Sequence, residues 1–140
     1  MKVYIGIKFH ADQSNRNIIE GISAALEDNG FRTTCVVRDL EKWGEVHYSS
    51  QELMRETFRM IDSSDVVVIE LSEKGVGLGI EAGYAWARGL PIVIIALDGS
   101  DISTTLRGIS GTVLFYNEYD QLADLLAGVL GHDTVAGEKG

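Results

Sequence analysis

Asp65-Val66-Val67-Val68-Ile69-Glu70-Leu71, followed closely by Gly75-Val76-Gly77-Leu78-Gly79-Ile80-Glu81-Ala82-Gly83-Tyr84-Ala85, decides the fold class of this chain. The first run is nearly pure β-branched aliphatic, the composition of a strand buried on both faces. Glycines at 75, 77 and 79 let the backbone bend tightly and approach a ligand with no side chain in the way. Leu78, Ala82, Ala85 and Trp86 then recur at helical spacing, which places Glu81 in the first turn of a helix. This strand, turn and helix form either a ligand site above a sheet or an ordinary connection whose Glu81 complements the helix dipole. Spacing alone leaves both readings open.

The same alternation extends in both directions. Residues 3–7 read as a first strand, and 14–29 as a helix with an apolar stripe of Ile18, Ile19, Ile22, Ala25 and Leu26 stopped by Gly30. A second strand is expected over 32–37 and a polar, aperiodic loop over 38–48. Ser49-Ser50-Gln51-Glu52 has the form of a capping box opening a helix that runs to about residue 62. The helix after the glycines is expected over 78–88, strands over 91–96 and 112–116, and a last helix over 118–130. Residues 98–108 read as a polar connection and 132–140 as a loose tail beyond a single domain at 1–131. Five apolar strands separated by helices predict an α/β, flavodoxin-like, doubly wound parallel sheet. Ligands bind such sheets outside the carboxyl ends of the strands, which gathers Lys8, Phe9 and His10, residues 73–81, and residues 98–103.

Bulk composition sets limits. The 140 residues make one domain, and 45% hydrophobic content supports a compact core. A net charge of −9 argues against a nucleic-acid surface, though not against one bound nucleotide. Cys35 stands alone in an apparent strand and reads as a small core residue. No leader pattern and no run long enough for a membrane span is visible, so a cytoplasmic location is expected. The glycines do not follow the first strand, as a dinucleotide fingerprint requires, and no Walker lysine follows them. His10, His47 and His132 are too dispersed to suggest a metal site, and no cofactor is implied.

The run from Val76 to Ala85, placed after Ser64-Asp65-Val66-Val67-Val68, resembles the nucleoside 2-deoxyribosyltransferase superfamily. The opening Val3-Tyr4-Ile5-Gly6, with Asp12 and Asn15 ahead of a helix, is similar to that family's first strand and loop, and the likeness extends to about Leu130. The resemblance implies that Glu81 is the nucleophile at C1′ of a nucleoside sugar and that Tyr4 lies beside it. A carboxylate suits an oxocarbenium-like state, which it stabilises or captures as an ester. The ending of the chain and Asp101-Ile102-Ser103-Thr104-Thr105-Leu106-Arg107-Gly108 resemble the branch that hydrolyses 2′-deoxynucleoside 5′-monophosphates. There, the serine matching Ser103 reaches the phosphate of a neighbouring subunit, which implies a homodimer or higher homo-oligomer. Gly6, Gly75, Gly77, Lys8 and His10 are the other candidate substrate and phosphate contacts. Lys8 could equally be a solvated strand-end charge and Tyr4 a packed core residue.

Two departures from the family pattern bear on the substrate. Where the family commonly carries an aspartate that positions the substrate and protonates the leaving base, this chain has Thr57, with Glu56 beside it. Glu56, His10 or His47 could stand in. Gly75 replaces a polar residue. The main expectation is hydrolysis of a nucleoside 5′-monophosphate. Base exchange by a deoxyribosyltransferase, a ribonucleotide N-glycosidase such as a CMP hydrolase, and a non-catalytic nucleotide sensor are the alternatives. Asp39, Glu41 and Glu45 read as a solvated acidic face of the long loop, or as part of a cover over the base, and Trp43 as a stacking lid or a plug.

Overall fold

The computed structural model describes the backbone of residues 1–10, 12 and 14–139, with side chains as far as residue 130. The elements follow in the order β1 (Lys2–Ile7), α1 (Arg16–Asp28), β2 (Arg32–Thr34), α2 (Ser50–Asp62), β3 (Val66–Glu70), α3 (Val76–Ala87), β4 (Ile92–Leu97), α4 (Thr104–Ile109), β5 (Thr112–Tyr116) and α5 (Tyr119–Lys139). The five strands pair in parallel in the order β2-β1-β3-β4-β5. This is the expected α/β sheet with flanking helices.

Period-2 alternation sends successive strand residues to opposite faces, and here both faces are dry. Val3 and Ile5 of β1, with Val66 and Val68 of β3, pack under α1 and α5 through Ile19, Ile22, Leu122 and Leu126. Tyr4, Val67 and Ile69 point the other way, against Ile61 of α2, Leu78 and Ala82 of α3, and Leu106 of α4. Tyr4 thus emerges from mid-strand onto the α2/α3 face. Gly21 lets α1 and α5 approach closely, since a Cβ there would stand 2.5 Å from the Tyr119 ring. The chain leaves β1 toward β2 on one flank and returns to β3 on the other. The crevice above β1 and β3 is therefore the switch point where such sheets bind ligands.

Several boundaries differ from expectation. β2 ends at Thr34, and residues 36–40 form a wide turn followed by a tight one at Lys42–Gly44. Asp39 causes the break: its carboxylate accepts from Cys35 N at 2.9 Å and its N–H donates to Cys35 O at 2.8 Å. Arg38 fixes the turn through Thr33 O at 2.9 Å and Ser23 Oγ at 2.7 Å. α2 starts as its cap predicts, with Ser49 Oγ accepting from Glu52 N at 3.2 Å. α3 begins at Val76, with Gly75 as its N-cap, so Glu81 falls in the second turn and not the first. Its expected role as a partner of the helix dipole weakens accordingly, because that field fades beyond the first turn. α4 lies inside the segment read as a polar connection. α5 runs to Lys139 through the segment read as a tail, whose side chains, with all of residue 140, lie outside the described residues.

A buried polar network fastens the carboxyl ends of three strands. Glu70, 3% exposed, accepts from Ser72 N at 2.6 Å, from Ser72 Oγ at 2.8 Å and from the Tyr116 hydroxyl. Ser72 Oγ accepts in turn from Leu97 N at 2.9 Å, so β3, β4 and β5 share one connected set of bonds. Among the described residues no helix is long and apolar enough to cross a membrane.

Candidate active site

Glu81 lies where the sequence pattern directs it, over the crevice beside β1. The Tyr4 hydroxyl donates to Glu81 Oε1, which joins the middle of β1 to the second turn of α3. Burial pushes the Glu81 carboxyl up to about 7, and the Tyr4 hydrogen bond opposes that rise. Burial, followed by the charge of Glu81, raises the Tyr4 phenol well above its ordinary value. A half-buried carboxylate in these surroundings is short of water and holds its lone pairs available for attack.

Two glycines keep this carboxylate open to a ligand. A Cβ on Gly6 would stand 3.6 Å from Glu81 Oε1 and only 2.8 Å from Ile69 Cδ1, so a side chain there would crowd the floor of the site. A Cβ on Gly77 would meet only Glu81 Oε2, at 3.9 Å, leaving its edge clear for a substrate.

Glu81, Tyr4 and Gly77 line a cavity of about 190 Å³. Phe9 and Ile7 extend it beyond β1, Leu53, Met54 and Thr57 of α2 form a second wall, and Val36, Val37 and Glu41 form a third. Trp43 holds that last segment in place, with its ring centroid 6.2 Å from that of Phe9 and its face 4.2 Å from the Arg16 guanidinium carbon. Trp43 and Lys42 both have left-handed backbone (φ 59 and φ 48), a conformation unusual for bulky residues and frequent near functional sites.

The other candidates spread outward from this centre. Thr57 faces the cavity, but its Oγ1 donates to Leu53 O at 2.8 Å. Glu56 lies one position round the helix and pairs with Arg59 at 2.7 Å, so α2 does not bring it to the cavity. Lys8 is exposed, and a Cβ on Gly75 would touch its stem at 3.6 Å. His10 Nε2 meets Glu73 Oε1 at 2.7 Å. Ser103 Oγ lies 2.8 Å from Thr105 Oγ1 and, together with Gly75, lines a different and larger cavity of about 640 Å³. Among the described residues lining that larger cavity there is no carboxylate, whereas the smaller one has Glu81. Asn15 braces the loop between, its Nδ2 donating to Lys8 O.

Cys35 and Glu41 also line the Glu81 cavity. Cys35 is buried as expected, with its thiol pushed up to about 11 mainly by burial. Glu41 reads in sequence as solvated surface or as part of a cover over the base, and no periodicity in 38–48 decides between them. The only signal in that segment is Trp43, a large apolar residue that must be covered by something.

The family described as nucleoside 2-deoxyribosyltransferase matches residues 3–133. The chain belongs to this family. Nucleoside 2-deoxyribosyltransferase relatives are enzymes that act at glycosidic bonds, as glycosidases or transferases, and the chain is an enzyme of that kind. A Thermofilum pendens protein named as a 2′-deoxynucleoside 5′-phosphate N-hydrolase is 27% identical over 140 residues, covering 93% of this chain and 95% of the relative. The solved CMP N-glycosidase of Clostridium botulinum has the same fold, with a TM-score of 0.64, 19% identity and coverage of 90% of this chain and 97% of that one. The 2-deoxyribosyltransferase of Bacillus psychrosaccharolyticus aligns at a TM-score of 0.70 and 15% identity, over 88% of this chain and 90% of its own.

Proposed function

We propose that this enzyme hydrolyses the N-glycosidic bond of nucleoside 5′-monophosphates, in particular 2′-deoxynucleotides, to free base and sugar 5-phosphate. The observation that carries this reading is the Tyr4–Glu81 pair set in a largely apolar cavity at the sheet's switch point. Glu81 attacks C1′ and forms an ester, while the C1′–N bond breaks and its electron pair leaves with the base. Water then attacks the same carbon and frees Glu81. Tyr4 holds the carboxylate in line and keeps it ionised by donating to it. The low-dielectric setting strengthens the attraction between Glu81 and the developing positive charge.

The phosphate belongs near the first turn of α3, where the Gly77 N–H and the helix dipole favour an anion and the exposed Lys8 supplies a cation nearby. Gly6 leaves room for the sugar. Val76 is 85% exposed and Ile80 47% exposed, an apolar strip on α3 bordering the larger cavity. A second copy of the chain covering that strip would carry its own Ser103 toward its neighbour's substrate, which accounts for a phosphate contact placed away from Glu81. The T. pendens relative's name supports a deoxynucleotide substrate, and the C. botulinum fold neighbour is a reason to include CMP among the substrates tried.

The test is release of free base from deoxy- and ribonucleoside monophosphates and from free nucleosides, by the wild type and Glu81→Ala. Base release from monophosphates that vanishes in the variant supports the hydrolase. A labelled free base is added in parallel. Its incorporation into nucleoside would establish base exchange in place of hydrolysis, and tight nucleotide binding without turnover would establish a sensor.

A further inference from the structure

The ester-forming step needs a proton for the departing base, and Thr57 cannot supply it: a hydroxyl is too weak an acid, and this one is committed to Leu53 O at 2.8 Å. Among the described residues lining the cavity, those able to titrate are Tyr4, Cys35, Glu41 and Glu81. Tyr4 donates to Glu81, and Cys35 is held protonated by burial, up to about 11. Glu81 is the nucleophile. That leaves Glu41, on the wall formed by the segment after β2.

Resting on the hydrolase reading, we propose that Glu41 is the general acid that protonates the leaving base, taking over the role that Thr57 has vacated. Three backbone bonds fix its position. Its N–H donates to Val36 O at 3.0 Å, and its carbonyl accepts from Gly44 N at 2.9 Å and Val46 N at 3.0 Å. Glu41 lines the cavity, and among the described residues its carboxyl makes no hydrogen bond or ion pair that would compete for it. Burial also raises its pKa, opposed in part by His47 on the same loop. The titratable groups that share the cavity with it are Tyr4 from β1, Cys35 after β2 and Glu81 from α3, His47 acts on it from its own loop, and α2 brings no titratable side chain to the cavity.

The step balances. Glu81 Oε bonds to C1′, the C1′–N electron pair leaves with the base, and the Glu41 proton passes to a base nitrogen or carbonyl oxygen. In the second step Glu41, now a carboxylate, takes a proton from the water that attacks C1′, and the ester bond to Glu81 breaks. Both carboxyls return to their starting states.

The experiment compares wild type and Glu41→Gln on two leaving groups: a deoxynucleoside monophosphate, and p-nitrophenyl 2-deoxyribofuranoside 5-phosphate, whose phenolate departs without a proton. The expected result is a loss of roughly 10²- to 10⁴-fold on the nucleotide and little on the nitrophenyl substrate. The alkaline fall of kcat/KM expected for wild type with nucleotide should disappear in Glu41→Gln and be missing from wild type with the nitrophenyl substrate. Equal loss on both substrates, or no loss on the nucleotide, overturns the assignment. Should the variant melt early, the two wild-type pH profiles decide alone, and an identical alkaline fall for both overturns it. Wild type that releases no base from any nucleotide but cleaves the nitrophenyl compound defeats the hydrolase reading, and the assignment with it.

Discussion

Replacing Tyr4 with Phe removes one hydroxyl from a buried wall and nothing else of comparable size. The lost bond is a donor to an ionised carboxylate, a type of bond contributing about 1.5–3 kcal/mol. At 1.36 kcal/mol per pH unit, that moves the Glu81 pKa upward by about 1–2 units. The direction is fixed by the site, because the Tyr4 bond is the influence that opposes burial. From a starting value of about 7, the carboxyl of Tyr4→Phe should titrate at about 8–9. At pH 7 its ionised fraction falls from about one half to between about a tenth and a hundredth. The kcat/KM of base release, followed by chromatography from pH 5 to 10, should therefore drop about 5- to 50-fold at pH 7 and recover toward wild type above pH 9. An acid limb that stays in place, with the same loss at every pH, would refute the reasoning and put Tyr4 on the sugar instead.

Glu81→Gln should abolish turnover and stabilise the fold at alkaline pH. With a folded value near 7 against an ordinary 4.5, ionisation opposes folding by at most about 3 kcal/mol above pH 7 and by nothing below pH 4.5. The melting temperature should accordingly rise at pH 8.5 and stay level at pH 4. Gly21→Ala, forced against the Tyr119 ring, should cost about 1–3 kcal/mol in urea denaturation without changing kcat per folded molecule. Gly77→Ala has room within the protein, so its melting should match wild type while its KM for substrate rises. Ser103→Ala should raise KM for monophosphates by about 10-fold or more and leave free nucleosides unaffected.

The parallel sheet was legible chiefly from β3 and β4, which are runs of Val and Ile between clear stops, the signature of strands buried on both faces. Glu81 stood out as a carboxylate among glycines and alanines, but its spacing served a helix-dipole partner equally well, and only the family resemblance singled it out as a site residue. The glycine positions, however, suggested that α3 starts after Gly77, whereas Gly75 can cap it and the helix absorbs the next two residues. β2 read as too long because Cys35, Val36 and Val37 continue its apolar character. What ends it is a carboxylate four residues on, bonded back to Cys35 N, which no period reveals. α4 spans six residues, too few to show a helical repeat. Glu56 could have been set aside from sequence, since Leu53, Thr57 and Ile61 mark the inward stripe of α2 at intervals of four. Glu41 could not be singled out from Asp39 and Glu45 in sequence, because only the folded turn shows which of the three loop acids lines the cavity.

The bonds converging on Glu70 give the two sides of the substrate cavity different mechanical characters. On one side β3, β4 and β5 are riveted together through Ser72 and Tyr116, and β3 leads directly into the helix that carries Glu81. On the other side β2 contributes three paired residues, and the wall beyond it is held by turn bonds at Asp39, Arg38 and Glu41 and by the contacts of Trp43 instead of a strand ladder. Amide exchange should be slowest along the first side and faster across residues 36–48, where isolated turn bonds replace a strand ladder. On the proposed reading, substitutions on that wall away from Glu41 can change which base fits without moving Glu81. A family built this way can diversify its substrates while its chemistry stays in place.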